Sequence, residues 1–290
     1  MIETISKLKY AKVNSLFARK ILGLYYKENK IYTIPFGPLR KIKMRYHTSI
    51  NFHVMLGLWE LDNFEILQRV LIKGKLLRDN AVMCDVGANI GTYSLWFAKL
   101  IFPRGVVYAF EPSPTVVNIF TDNISINDFS NIQLMKVVCS DRVGNADFFI
   151  GYHHHTSSLQ VQWAGGGKIT PQKIVCEATT LDHFFYHAEG REGPDLIKMD
   201  IEGGATLALK GAGKCLRERR PLLLIESHSP QEDCAISTAL VDCDYHAYRV
   251  NNRRWVKQRR QIFPHPDGVW GTLLICPAEL RTHLSQLLDG

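Results

Sequence analysis

The sequence predicts an α/β fold: a mostly parallel, doubly wound sheet with helices on both faces and a helical extension ahead of it. Three observations predict it. Between residues 82 and 226, short apolar runs alternate with stretches of helical periodicity. A glycine-rich turn, Gly87-Ala-Asn-Ile-Gly91, joins the first apolar run to the first helix. Successive runs end in acidic residues, and the ends of parallel strands in an open α/β sheet gather on one edge.

Val82 to Cys84 reads as a buried strand ending in Asp85, and Thr92 opens a helix whose apolar positions Leu95, Trp96, Leu100 and Ile101 recur at helical spacing. Glycines at 87 and 91 permit a tight turn and close approach of a ligand to the backbone. The N–H groups between Asn89 and Thr92, at the head of the helix, favour polar ligand groups. The spacing Asp-x-Gly-x-x-x-Gly is not the dinucleotide fingerprint, and Asp85 would repel a pyrophosphate. A carboxylate there suits an ammonium, such as the one at the amino-acid end of S-adenosylmethionine. An ordinary tight turn is the competing reading.

Gly105 to Phe110 is the second strand, with Glu111-Pro112 at its tip, where such folds place an acid to accept hydrogen bonds from ribose hydroxyls. Pro114 starts a helix reaching about Asn127, and Ile132 to Cys139 is the third strand, closed by Ser140-Asp141. Asp141 can accept from an adenine amino group or simply cap a turn. Ala146 to Ile150 is a short extra strand, followed by a polar loop with His153, His154, His155, Ser157 and Ser158. Three adjacent histidines cannot all face one metal from a regular strand, so His154, His155, Ser157 and Ser158 are read as substrate-facing. Gly165-Gly166-Gly167 reads as a linker.

Leu196 to Met199 form a buried strand whose tip presents Asp200 and, two residues on, Glu202. A helix follows from Ala205 to Lys210, then a fifth strand from Pro221 to Ile225 carrying Glu226, Ser227 and His228. Asp85, Glu111, Asp141, Asp200, Glu202, Glu226 and His228 therefore converge on one crevice, more acids than a structural sheet needs. Tyr245 to Val250 and Trp270 to Cys276 complete the strands, with a basic cluster between them. Ahead of the glycine turn, Glu60 either reaches the cofactor pocket or is a first-turn helix acid.

Composition is that of a globular protein, 46% hydrophobic and 22% charged. Seven scattered cysteines without a CxxC pair argue for reduced thiols and a cytoplasmic setting. No spanning helix or secretory signal is legible. Residues 1–50 carry a balance of +9 and the remainder −2. Two units are expected: a basic, helical N-terminal extension over 1–50 and the α/β domain over 51–290. The extension is either a helix packed on the domain or a contact for anionic surfaces, including a peripheral membrane contact. Beyond the acceptor molecule, a second copy of the chain is a candidate partner and nucleic acid is not expected.

Asp85 to Gly91, Phe110-Glu111-Pro112, Ser157-Ser158-Leu159, Thr180-Leu181-Asp182 and Lys198-Met-Asp-Ile-Glu-Gly203 together resemble, in order, the motifs of FkbM-type methyltransferases. The resemblance implies a Rossmann-like class I methyltransferase fold with seven strands, and S-adenosylmethionine-dependent methyl transfer to oxygen, often a sugar hydroxyl of a glycan, glycolipid or natural product. It implies that Asp85, Gly87, Gly91 and Glu111 hold the cofactor, while Asp200 and Glu202 line the reaction centre. From their own positions in the chain, Glu60, Asn89, Thr92, Pro112, Ser140 and Asp141 are further candidates around the cofactor.

A sugar hydroxyl is a poor acid and needs a base or a metal. His228, with an ordinary pKa of about 6.5, is the first candidate base and Asp200 the second. Alternatively, Asp200, Glu226 and His228 bind a divalent cation such as Mg2+. The rival readings are an NAD-dependent oxidoreductase and a non-catalytic glycan- or membrane-binding protein on a degenerate cofactor fold.

Overall fold

The computed structural model describes residues 16–151, 157–162, 164, 171–187, 191–228, 230–256 and 271–289. The chain opens with α1 (Leu16–Tyr25), then a hairpin of β1 (Ile31–Thr33) and β2 (Lys43–Arg45), then α2 (Phe52–Leu56) and α3 (Leu61–Gln68). The doubly wound part begins with β3 (Val82–Val86), α4 (Thr92–Ile101), β4 (Val106–Phe110), α5 (Pro114–Ser125) and β5 (Ile132–Met135). A small sheet follows, from β6 (Val138–Cys139), β7 (Gly144–Ile150) and β8 (Gln172–Thr179). The chain then returns through α6 (Leu181–Tyr186), β9 (Leu196–Met199), α7 (Ala205–Lys210), β10 (Leu222–Glu226) and α8 (Pro230–Asp242). It closes with β11 (Tyr245–Arg249), β12 (Arg254–Trp255), β13 (Thr272–Pro277) and α9 (Arg281–Leu288).

The main sheet runs in the order β12-β11-β13-β10-β9-β3-β4-β5. β5, β4, β3, β9 and β10 are mutually parallel, and β13 is antiparallel to both neighbours. The class is the one the sequence predicts. It has one strand more than the seven expected, because the two-residue β12 pairs with β11 at the edge. The order reverses between β9 and β3, the place where an open α/β sheet leaves a crevice beyond its strand ends.

The period-two alternation of each strand separates two cores. Met83, Val107, Ala109, Leu222, Leu224 and Leu274 face one layer, with Leu95, Phe97 and Phe120 of α4 and α5. Val82, Cys84, Val86, Tyr108, Phe110, Leu223 and Ile225 face the other, with Phe185, Leu209 and Ile236 of α6, α7 and α8. Burial on both faces is why these strands read as continuous apolar runs.

Two expectations change. The N-terminal extension is helical over Leu16–Tyr25 but a hairpin over Ile31–Arg45, and Ile34, Leu39, Ile42 and Met44 are buried in the first core. Asn127 clamps the hairpin to the helix region by accepting from the Lys43 N–H at 2.8 Å and donating to the Lys43 carbonyl at 2.7 Å. The stretch read as one third strand is two, because the chain leaves the main sheet after Met135 and joins the small sheet at Val138. His153 to His155, Gly165 to Gly167, and Lys257, Arg259 and Arg260 of the basic cluster lie outside the described residues. All seven cysteines are unpaired, and among the described residues no helix is long and apolar enough to cross a membrane.

Candidate functional site

A cavity of about 250 Å³ opens beyond the ends of β3, β4, β9 and β10. Gly87, Asn89, Glu111 and Pro112 form one wall, and Asp200, Glu202, Glu226 and His228 another. The small sheet contributes an apolar side, Val137 to Cys139 with Phe148, continued by Ser157, Ser158 and Leu159. Trp59 and Glu60, from the loop before α3, also line it.

The glycine turn has a physical requirement other than ligand access. Gly87 has φ 76°, and a Cβ there would stand 2.1 Å from the Asp200 carbonyl oxygen. Gly91 has φ 92°, and its Cβ would stand 2.1 Å from the Phe120 ring. Both glycines let the turn press against neighbouring elements in a backbone conformation that side chains disfavour. Asn89 takes a left-handed conformation between them, and its Oδ1 accepts from the Ile90 N–H at 2.8 Å. Gly87 and Asn89 line the cavity; Gly91 and Thr92 do not.

Glu111 stands at the tip of β4 with its carboxylate accepting the Asn89 and Ser113 N–H groups, each at 2.9 Å. Burial pushes its carboxyl up to about 7, against the opposing pull of those two backbone donors. Ser140 and Asp141 do not line the cavity. They follow β6 rather than a main-sheet strand, and the Ser140 N–H is taken by the Thr179 carbonyl at 2.8 Å. Val137 to Cys139 line the cavity in their place.

Asp85 is the largest correction. It lies one residue inside β3, fully buried, and is absent from the cavity wall. Its Oδ2 accepts from Ser94 Oγ at 2.6 Å and its Oδ1 faces Lys198 Nζ at 3.5 Å. Lys198, a lysine in an otherwise apolar strand, also donates to the Gly87 carbonyl at 3.1 Å and lies 3.8 Å from Asp200. Burial alone would lower the Lys198 ammonium, but the carboxylates of Asp85, Asp200, Glu60 and Glu226 outweigh it and hold it above the usual range. Asp85 and Lys198 lock the glycine turn to β9 from beneath.

At the other wall, His228 Nε2 lies 3.4 Å from Asp200, 3.8 Å from Glu202 and 3.8 Å from Glu226. Its Nδ1 faces Glu232 at 3.4 Å. Burial disfavours the imidazolium, yet Glu232 and the three other carboxylates more than offset it and push His228 up to about 9. This environment favours the imidazolium over the neutral ring that a general base at His228 requires. Burial pushes Glu202 up to about 7 and Glu226 up to about 8, the latter with help from Asp200 and Glu60. Asp200, Glu226 and His228 each offer a ligand atom, and these atoms lie within 4.8 Å of one another.

Ser157 and Ser158 do line the cavity, but Ser158 Oγ donates to the Glu202 carbonyl at 2.5 Å and Ser157 Oγ accepts the Gly151 N–H at 3.1 Å. Their hydroxyls fasten the loop to the strand tip. Thr180 and Asp182 are structural as well. Thr180 caps α6 through the His183 N–H, and Asp182 accepts the Lys214 and Cys215 N–H groups at 2.8 Å each.

Sequence reasoning missed Lys198, Tyr93, Trp59 and Glu232. Lys198 had a signal, a charge inside a fully apolar strand. Glu232 sits in α8, where nothing in the pattern separates it from a surface acid. In the fold it is fully buried, accepting the Ala205 N–H at 3.0 Å and the His228 N–H at 2.6 Å, which ties α7 and the β10 tip together.

Comparison with known proteins follows from the same stretch. The family model of the methyltransferase FkbM domain matches residues 85–247. Methyltransferase sdnD from Sordaria araneosa is 25% identical over 182 residues, covering 53% of this chain and 69% of that protein. The 2-O-methyltransferase NoeI from Sinorhizobium fredii (strain NBRC 101917 / NGR234) is 27% identical over 171 residues, covering 54% of this chain and 67% of that protein. The crystal structure of methyltransferase FkbM from Methylobacillus flagellatus KT aligns with a TM-score of 0.47 at 17% identity, over 78% of this chain. This chain spans about half of that one, 55%. The family match takes in the glycine turn, Glu111, the Lys198-to-Gly203 stretch and His228, more than half of the chain, and the protein belongs to the FkbM methyltransferase family.

Proposed function

We propose that this protein is an S-adenosylmethionine-dependent O-methyltransferase acting on a sugar hydroxyl of a glycan, glycolipid or glycosylated natural product. One observation carries the reading: the cavity joins a hydrogen-bond-accepting strand tip, Glu111, to an apolar wall on one side and a carboxylate–imidazolium cluster on the other. The apolar residues Val138 and Phe148 suit a purine, and Glu111 suits ribose hydroxyls, since each of its oxygens retains a lone pair beyond its backbone bond. The donor set therefore fits the cofactor. S-adenosylmethionine, when bound, supplies a methyl group already activated by its sulfonium.

The chain's own residues then have to orient an acceptor hydroxyl and take its proton. Asp200 is the group placed to do so, within 4 Å of both the Lys198 ammonium and the His228 ring. His228 acts as the cation that holds Asp200 in place and steadies the negative cluster, not as the base. Glu232, behind it, fixes the ring from the Nδ1 side. The Ser158–Glu202 bond ties the loop that follows β7 to this wall. The name of the relative from Sinorhizobium fredii, a 2-O-methyltransferase, supports oxygen as the acceptor atom.

A second reading has its own observation. The close approach of Asp200, Glu226 and His228 suits a divalent cation, which would lower the pKa of an acceptor hydroxyl. Turnover unaffected by EDTA and by added Mg2+ rejects it.

Calorimetry with S-adenosylhomocysteine and with NAD tests the cofactor: one equivalent of the former is expected to bind and the latter not at all. Binding of NAD alone would return the oxidoreductase reading. Mass spectrometry of candidate glycans incubated with methyl-labelled cofactor then tests the acceptor. Label on a nitrogen or carbon atom would overturn the oxygen assignment.

A further inference from the structure

We infer that Glu60, rather than Asp85, is the carboxylate that receives the α-ammonium at the amino-acid end of the cofactor; the inference rests on the reading of that cofactor as S-adenosylmethionine. An ammonium that leaves water for a partly enclosed site is favoured by an ionised partner facing it. Asp85, which the sequence nominates, cannot supply this. It is fully buried behind the turn, and its two oxygens already face Ser94 and Lys198.

Glu60 is arranged the other way round. It lines the cavity. Its backbone is left-handed, φ 47° and ψ 41°, at the junction between Trp59 and the start of α3. The preceding Gly57, φ 71°, fixes the path of this loop, because a Cβ there would stand 2.0 Å from the Phe36 carbonyl oxygen. Tyr93 Oη donates to Glu60 Oε2 at 2.5 Å and Asn63 Nδ2 donates to the same atom at 2.9 Å. Both bonds fall on one oxygen. Oε1 accepts no hydrogen bond among the described residues, and no lysine or arginine among them forms an ion pair with Glu60.

Burial, followed by the charge of Asp200, pushes the Glu60 carboxyl above the usual carboxylate range. That is the condition of a carboxylate short of a cation. Lys198 helps, but its ammonium is closer to Asp85 and Asp200. Tyr93, in the first turn of α4, ties Glu60 to the helix that the glycine turn opens, and Lys198 holds the Gly87 carbonyl. Glu60 enters the cavity from the loop before α3 and Glu111 from the tip of β4, so the two acids reach the ligand from different elements.

The test is calorimetry on the full chain with three probes: S-adenosylhomocysteine, its analogue lacking the α-amino group, and 5′-methylthioadenosine. Wild type is expected to prefer S-adenosylhomocysteine over the deaminated analogue by about tenfold or more, the scale of one charge-assisted hydrogen bond. Glu60→Gln should weaken S-adenosylhomocysteine by about the same factor and leave the other two probes within about twofold. Tyr93→Phe keeps the Glu60 charge and should retain the preference. Equal weakening of all three probes by Glu60→Gln would overturn the assignment, since that is a structural effect. Equal affinity of wild type for S-adenosylhomocysteine and its deaminated analogue would overturn it whatever the variants do. Wild type binding none of the three would overturn the cofactor reading, and this assignment with it.

Discussion

Asp85 and Asp200 belong to neighbouring parallel strands, share the Lys198 ammonium, and do opposite things. In the pairing of β3 with β9, Asp85 stands opposite Lys198 and Val86 opposite Met199, so Asp85 is one residue inside the sheet and Asp200 one residue beyond it. That offset of two positions moves one carboxylate from zero exposure to a cavity wall where its side chain is 30% exposed. The inner acid locks the architecture, and the outer one lines the cavity. Identical chemistry is assigned to structure or function by strand register alone.

The comparison is broken most severely by exchanging effects. Asp200→Asn is expected to cost about 10² to 10⁴ in turnover, the range of a lost general base, while S-adenosylhomocysteine affinity and unfolding midpoint stay close to wild type. If turnover survives, Asp200 is not the proton acceptor.

Asp85→Ala should do the reverse. Removing one partner of a buried ion pair leaves Lys198 with Asp200, 3.8 Å away, as its remaining close carboxylate and costs about 3 kcal/mol, the lower end of the range for such a loss, read by urea denaturation. Lys198→Met should be comparably destabilising, because Asp85 is then the orphan. A mild effect of both would mean that Ser94 and the turn already satisfy the buried acid.

Gly91→Ala sharpens the same point from the backbone side. With φ at 92° and Phe120 at 2.1 Å from the added methyl, a loss of about 1–3 kcal/mol is expected in the same denaturation measurement. Gly87→Ala, against the Asp200 carbonyl, should add a fall in cofactor affinity to a similar stability loss, because that residue also lines the cavity.

The smallest expected effect is on pH. Only while ionised does Glu111 offer two pure acceptor oxygens, and its carboxyl is pushed up to about 7. S-adenosylhomocysteine affinity should therefore be full above pH 7 and fall by up to about tenfold per unit below it, the limit for one proton. Glu111→Gln should bind more weakly and lose that slope. An unchanged slope would assign it to another group.

The pattern of legibility follows the same division. β9, Leu196–Met199, and α7, Ala205–Lys210, lie where they are expected, because a buried apolar run and the glycines at 211 and 213 that stop the helix are local signals. The third strand is misread because the apolar run from Ile132 to Cys139 contains no local mark of the departure after Met135. The hairpin at Ile31–Arg45 is hidden by its charge: Lys43 and Arg45 flank the buried Met44, and the alternation is too short to stand out against a basic segment. His228 is read from its ordinary pKa, whereas Glu232 and Asp200, with the other acids at the strand tips, push it upward.

By itself, then, the sequence determined the order of strands and helices, the crevice at the parallel strand tips, and the family to which its motifs belong. Those depend on periodicity, turn chemistry and short spacings, all of which act between near neighbours in the chain. Only the tertiary structure decided which acids face the cavity, that Lys198 ties β9 to the glycine turn, and that Glu60 and Glu232 come in from elements outside the motifs. A side chain's exposure and its charge state depend on what other segments bring against it, and that is set by register and packing rather than by its neighbours in sequence.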